Sequence, residues 1–208
     1  MEFRLLYSGR LLGASKTNTR ANLKHELRRT FHPQLRRLWS TNHALKLFAE
    51  PFSERYFTKH PDERGTITRA QAGLEVMSHN WGLNGYQFVP LVTDKLFLRC
   101  KIDILFLRPD EPYHVIKSGD LDAKLKTIFD ALRLPHNLEE AGGIGPQEDE
   151  TPFFCLLEDD KLISQVGINT DQLLVLPTER QTDPNDAFLV IHVQLNARAE
   201  TPIAWWDV

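Results

Sequence analysis

The sequence predicts an α+β fold, a mixed β-sheet with packed helices, in one domain over residues 1–208. Three stretches carry that reading. Leu121, Leu125, Ile128, Phe129 and Leu132 share one face at about 100° per residue, the period of an amphipathic helix. The runs 95–107 and 186–196 are apolar and rich in β-formers, as strands are. A chain of 208 residues suits one domain, or one domain with a sizeable insertion.

In chain order, a helix is expected from about Arg20 to Phe31, capped by Thr17, Asn18 or Thr19. Leu23, Leu27 and Phe31 would face the core, with Arg20, Lys24 and Arg28 in a row on the other side. Pro33 ends this helix or starts a short one carrying Leu35, Leu38 and Trp39. A short helix is expected over 43–48, a turn-rich stretch over 51–65, and a helix over 66–77. Asn84-Gly85 marks a turn. The strand 86–92 would then pair with 95–107 through Thr93-Asp94. Ser118 and Gly119 suit the entry to the helix that follows. Residues 141–152 read as a flexible acidic loop over a cleft, with strands at 153–157 and 162–169 flanking an acidic turn.

Composition is that of an ordinary soluble protein, 41% hydrophobic and 25% charged. No run has the length of a membrane helix, and the first residues lack a signal-peptide layout. Cys100 and Cys155 lie in apolar runs and read as reduced core thiols. A cytoplasmic location without membrane contact is the expectation. The eight histidines show no metal-ligand spacing and default to core or surface roles.

Net charge is −3, but its distribution is uneven. Between Lys16 and Arg37 there are seven Lys/Arg against one acid, Glu26. Between Glu139 and Asp160 there are eight acids and no Lys or Arg. The basic segment, with Lys24, Arg28, Arg29, Arg36 and Arg37, reads either as a phosphate-contacting face or as a solvated helix face.

The stretch Asp120-Leu-Asp122-Ala-Lys-Leu-Lys126-Thr-Ile-Phe-Asp130-Ala-Leu132 is the most informative in the chain. Asp122, Lys126 and Asp130 stand at i, i+4 and i+8 on one stripe. An acid pair, Asp159-Asp160, follows across a Gly/Pro-rich connection. Each piece alone has an ordinary explanation: acids favour a helix N-terminus, and i,i+4 ion pairs are common. The combination, in this order and spacing, points to metal-assisted chemistry on phosphate.

That combination resembles the RusA-type family of Holliday-junction resolvases. The family's Asp-x-Asp-Asn-x-x-Lys, Asp-x-Leu and Asp-Asp signatures fall on Asp120, Asp122, Lys126, Asp130, Leu132, Asp159 and Asp160. The resemblance covers about residues 95–170, and Phe3–Gly9 matches the family's first strand less specifically. Ala123 replaces the family's Asn; residues 40–88 are extra, and the acidic loop at 136–152 is long. A RusA-like core with N-terminal and loop insertions is thus implied.

The resemblance implies a Mg²⁺ site, Mn²⁺ being an alternative, formed by Asp120, Asp122 and Asp160 with Asp159 as a further ligand or partner. Lys126 would stabilise charge on phosphate, and Asp130 would orient Lys126 or pair locally. The implied activity is hydrolytic cleavage of branched DNA by a homodimer, whose two-fold symmetry suits a four-way junction. Two alternatives stay open: a nucleic-acid-binding relative with lost cleavage, and a general nuclease without junction preference.

Overall fold

The computed structural model describes residues 1–13, 19–49, 73–109, 121–174, 183 and 185–197. Two sheets and four α-helices make up the described chain, an α+β fold with mixed sheets, as expected. The larger sheet holds β1 (Glu2–Arg10), β7 (Asp186–Ala197), β4 (Leu98–Arg108) and β6 (Ile163–Gln172), in that spatial order. β7 is antiparallel to both neighbours, whereas β4 and β6 are parallel. The smaller sheet holds β2 (Gly82–Leu83), β3 (Tyr86–Val92) and β5 (Phe153–Leu157), with β3 and β5 parallel. The helices are α1 (Thr19–Thr41), α2 (His43–Ala49), α3 (Gly73–Asn80) and α4 (Leu121–Leu132).

Strand alternation builds the core. Cys100, Ile102, Ile104 and Phe106 of β4 and Leu189, Ile191 and Val193 of β7 point inward and are wholly buried. Leu27, Phe31, Leu35 and Trp39 of α1 and Ile128 and Leu132 of α4 share that core. Each such large side chain stabilises the fold by about 1.5–3 kcal/mol relative to exposure. The two free cysteines are buried, as expected, and burial pushes both thiols up to about 12.

Two expectations change. α1 runs through Pro33 instead of stopping there. Pro33 is on the exposed side, where a carbonyl without its helical donor can be hydrated, while Phe31, Leu35 and Trp39 anchor the other side. β3 does not form a hairpin with β4, because a 3-10 turn at Asp94–Leu96 and a left-handed Phe97 redirect the chain. β3 is buried along nearly its whole length and pairs with β5, as a parallel strand covered on both faces does. Asn84 and Gly85, both at positive φ, close a two-residue turn between β2 and β3, where side chains other than Asn and Gly are disfavoured. Ser118, Gly119, Asp120 and most of the expected 66–77 helix lie outside the described residues.

Candidate functional site

α4 forms because its apolar side is buried against the core, with Ile128, Ala131 and Leu132 at most 1% exposed. On the other side Asp122, in the first turn, and Lys126, one turn on, are exposed. Ala123 is half-buried between them.

Asp130 continues the row in sequence but not in role. It is 6% exposed, and its carboxylate accepts from Lys24 Nζ at 2.5 Å and Arg133 Nη2 at 3.2 Å. Of the two roles expected, orienting Lys126 or pairing locally, the second is seen with Arg133 three residues on, and Lys24 adds a tie to α1.

Asp159 and Asp160 open the 3-10 turn that leads into β6. The Asp159 carboxylate accepts from the Lys161 N–H at 3.0 Å. That bond, helped by the charge of Lys161, a hydrogen bond with Asp160 and the field of His136, holds its pKa below the usual carboxylate value. Asp160 is exposed.

Asp122 and the Asp159-Asp160 pair sit by different ends of α4. Eleven residues separate Asp122 from Arg133, which is roughly 16 Å of helical rise. At the Arg133 end, the Leu134 N–H donates to the Leu157 carbonyl at 3.0 Å. Asp159 follows two residues later, close enough to feel His136. Asp159-Asp160 therefore lie by the C-terminal end of α4, and Asp122 at its N-terminal end. The cause is topological. β4 and β6 are parallel, so the helix between them must carry the chain back along the sheet. The first turn of the helix and the residues before the next strand then fall at opposite ends of the crossover. Among the described residues no three His, Cys, Asp or Glu side chains are placed to hold a metal ion. Of the pocket expected of Asp120, Asp122, Asp159 and Asp160, the described chain holds Asp122 and the Asp159-Asp160 pair by different ends of α4; Asp120 lies outside the described residues.

The basic face is also reassigned. Arg28 is 1% exposed, and its guanidinium donates to the carbonyls of Asp130, Arg133 and Glu140 at 2.7, 3.2 and 2.9 Å. Burial lowers its pKa from the ordinary arginine value. Lys24 is taken by Asp130, and Arg29 by Glu150. These three residues cross-link the fold and are not a phosphate face. Arg36 and Arg37 remain exposed. Arg36 and Lys46 border a cavity of about 410 Å³ whose walls include Trp39, Leu74 and Phe154.

The acidic loop does not hang free. Glu150 is 3% exposed and joins Arg29; Glu140 joins Arg133; the Asp149 carbonyl meets His32 Nε2 at 3.2 Å. Part of the charge asymmetry of the sequence is thus matched internally, Arg29 of α1 pairing with Glu150 of this loop.

Beneath this seam lies a polar cluster that sequence reasoning missed. His25 and His32 are nearly fully buried against Phe153. Tyr86 Oη lies 3.3 Å from His25 Nε2, and among the described residues His25 Nδ1 has no hydrogen-bond partner. Phe154 N–H donates to His32 Nδ1 at 2.9 Å, which fixes the proton on Nε2. Burial lowers the pKa of both histidines, His25 to about 4, with Arg28 and Arg29 adding to the effect there. The only signal in the sequence was the i, i+7 spacing of His25 and His32, which places both on the inner face of α1.

No helix of the described chain is long and apolar enough to cross a membrane. No protein-family model, curated protein or solved structure matches this chain.

Proposed function

We propose that the chain is a divalent-metal-dependent endonuclease acting on branched DNA, the activity its resemblance to RusA-type resolvases implies. The observation that carries this reading is the contrast within one helical row. Asp122 and Lys126 are left exposed side by side at the start of α4, while Asp130 is committed to holding the fold. An acid and a cation kept at a helix N-terminus, next in sequence to Asp120, suit phosphate chemistry. The described carboxylates do not make a three-ligand metal group, so no catalytic step is assigned to one. The reading rests on the Asp120–Asp122 end of α4, for a cation that often takes one or two carboxylates together with substrate phosphate.

The test compares junction, nicked, linear and single-stranded DNA side by side with Mg²⁺ or Mn²⁺. Cleavage of the junction, lost in Asp122→Asn, supports the reading. Equal cleavage of every substrate points to a general nuclease. Junction binding without cleavage in any metal points to a second reading, a binding relative without catalysis. The separation of Asp122 from Asp159-Asp160 and the presence of Ala123 favour that second reading.

A further inference from the structure

The outer face of the larger sheet carries an ordered pattern of side chains. Register places them in four rows across β1, β7 and β4. The rows are Glu2–Gln194–Lys101, Arg4–His192–Asp103, Leu6–Val190–Leu105 and Ser8–Phe188–Leu107. Among the described residues this face is open: Leu6 is 47% and Leu105 38% exposed. Five apolar side chains in two adjacent rows form its centre of contact, with the charged rows beside them.

The charges are mirrored across β7. Glu2 stands opposite Lys101, and Arg4 opposite Asp103. A two-fold axis lying parallel to β7, above this face, would set each β1 residue of one copy over the β4 residue of the same row in the other. Arg4 would then meet Asp103, Glu2 would meet Lys101, and Leu6 would meet Leu105, each contact made twice. Self-complementarity of this kind is what an isologous interface requires. Two sheets packed face to face keep their strands aligned within about 30°, which such an axis satisfies.

One further observation bears on the mode of docking, and the charge balance on the occupant. The β1 edge is closed: Leu6 N–H donates to Gln34 Oε1 at 2.9 Å, and Gln34 Nε2 donates to the Leu6 carbonyl at 2.8 Å. A partner cannot add there as another strand. A nucleic acid fits poorly, because the two acids and two cations of these rows cancel, and phosphate binding needs uncompensated cations.

We propose that this face is the interface of a two-fold homodimer. The inference needs the sheet alone and goes beyond the proposed nuclease activity; it is tested without DNA or metal, so either can fail separately. Sedimentation velocity of the full chain should show a dimer. R4E and D103R should each weaken it by about tenfold or more, since each sets like charges face to face twice. Mixing the two single variants should restore dimers, because every Arg4–Asp103 contact in the mixed pair again joins opposite charges. That restoration also shows that both variants are folded. A monomer at tens of micromolar overturns the proposal. So does a dimer indifferent to R4E, D103R and Leu105→Glu, or a mixture no tighter than its components.

Discussion

Arg29 holds Glu150 through two guanidinium nitrogens, with Nε 2.5 Å from Oε1 and Nη2 3.1 Å from Oε2. Oε2 also accepts from the Gln147 N–H at 2.9 Å. Burial pushes this carboxyl up, but the bonds from Arg29 and Gln147, with the charges of Arg29 and His25, outweigh it and hold the pKa low. Removing Arg29 leaves a buried acid unpaired. Arg29→Ala is expected to cost about 2–3 kcal/mol, below the range for fully buried pairs because Arg29 is partly solvated. Urea unfolding measures it. Pairing Arg29→Met with Glu150→Leu should cost less than the two single changes added together; simple additivity would show that the pair is not coupled.

Acid should loosen the same region through its histidines. His25 and His32 have folded pKa values below their ordinary ones, so the unfolded chain binds more protons as pH falls. Their contribution is complete above about pH 6.5 and declines toward the folded value, about 4 for His25. The lowered carboxyls of Glu140 and Glu150 add a further loss below about pH 4.5. Unfolding free energy should therefore fall by about 2–3 kcal/mol between pH 6.5 and 4. His25→Phe, which keeps a ring against Tyr86 and Phe153, should flatten that slope. An unchanged slope would place the titration elsewhere.

Asp122 and Asp130 should part company under mutation. Asp122 is exposed, so Asp122→Asn should leave the melting temperature nearly unchanged while lowering junction cleavage by about a hundredfold or more. Asp130→Asn strips charge from a carboxylate shared by Lys24 and Arg133, and should cost about 2–3 kcal/mol in denaturant melts. If Asp130→Asn is silent in stability, its tie to α1 is not a fold contact.

Divalent ions give an independent readout of the proposed activity. Millimolar Mg²⁺ or Mn²⁺ is expected to raise the melting temperature, and Asp122→Asn to abolish the rise. No shift in the parent counts against a metal site at the start of α4.

Arg28 is expected to be among the most sensitive positions on α1. Arg28→Ala would leave the carbonyls of Asp130, Arg133 and Glu140 without their buried donor, at a cost of about 3 kcal/mol. Arg37→Ala, on the exposed side, should change stability by less than about 0.5 kcal/mol.

Much of the fold was legible because period and burial agree. β4 and β7 alternate cleanly, and α4 repeats its apolar residues at helical spacing. What was not legible depended on partners distant in the chain. Nothing local says that Arg28 meets carbonyls more than a hundred residues away, or that Glu150 is buried. A row of cations on a helix looks the same in sequence whether it faces solvent or an acidic loop. The acid motif was legible as a pattern but not as geometry. Whether Asp122 and Asp160 share a pocket depends on the parallel relation of β4 and β6, which is a property of the sheet and not of either segment.

The pairing of β1 with β7 sets the order of assembly. Glu2 to Arg10 find their strand partner in residues 186–194, so the larger sheet stays incomplete until almost all of the intervening chain has been synthesised. Contacts of such sequence separation close slowly. A nascent chain stalled before β7 would hold β1 beside an unfilled slot next to β4, and a ribosome-bound fragment of that length should be readily digested by protease.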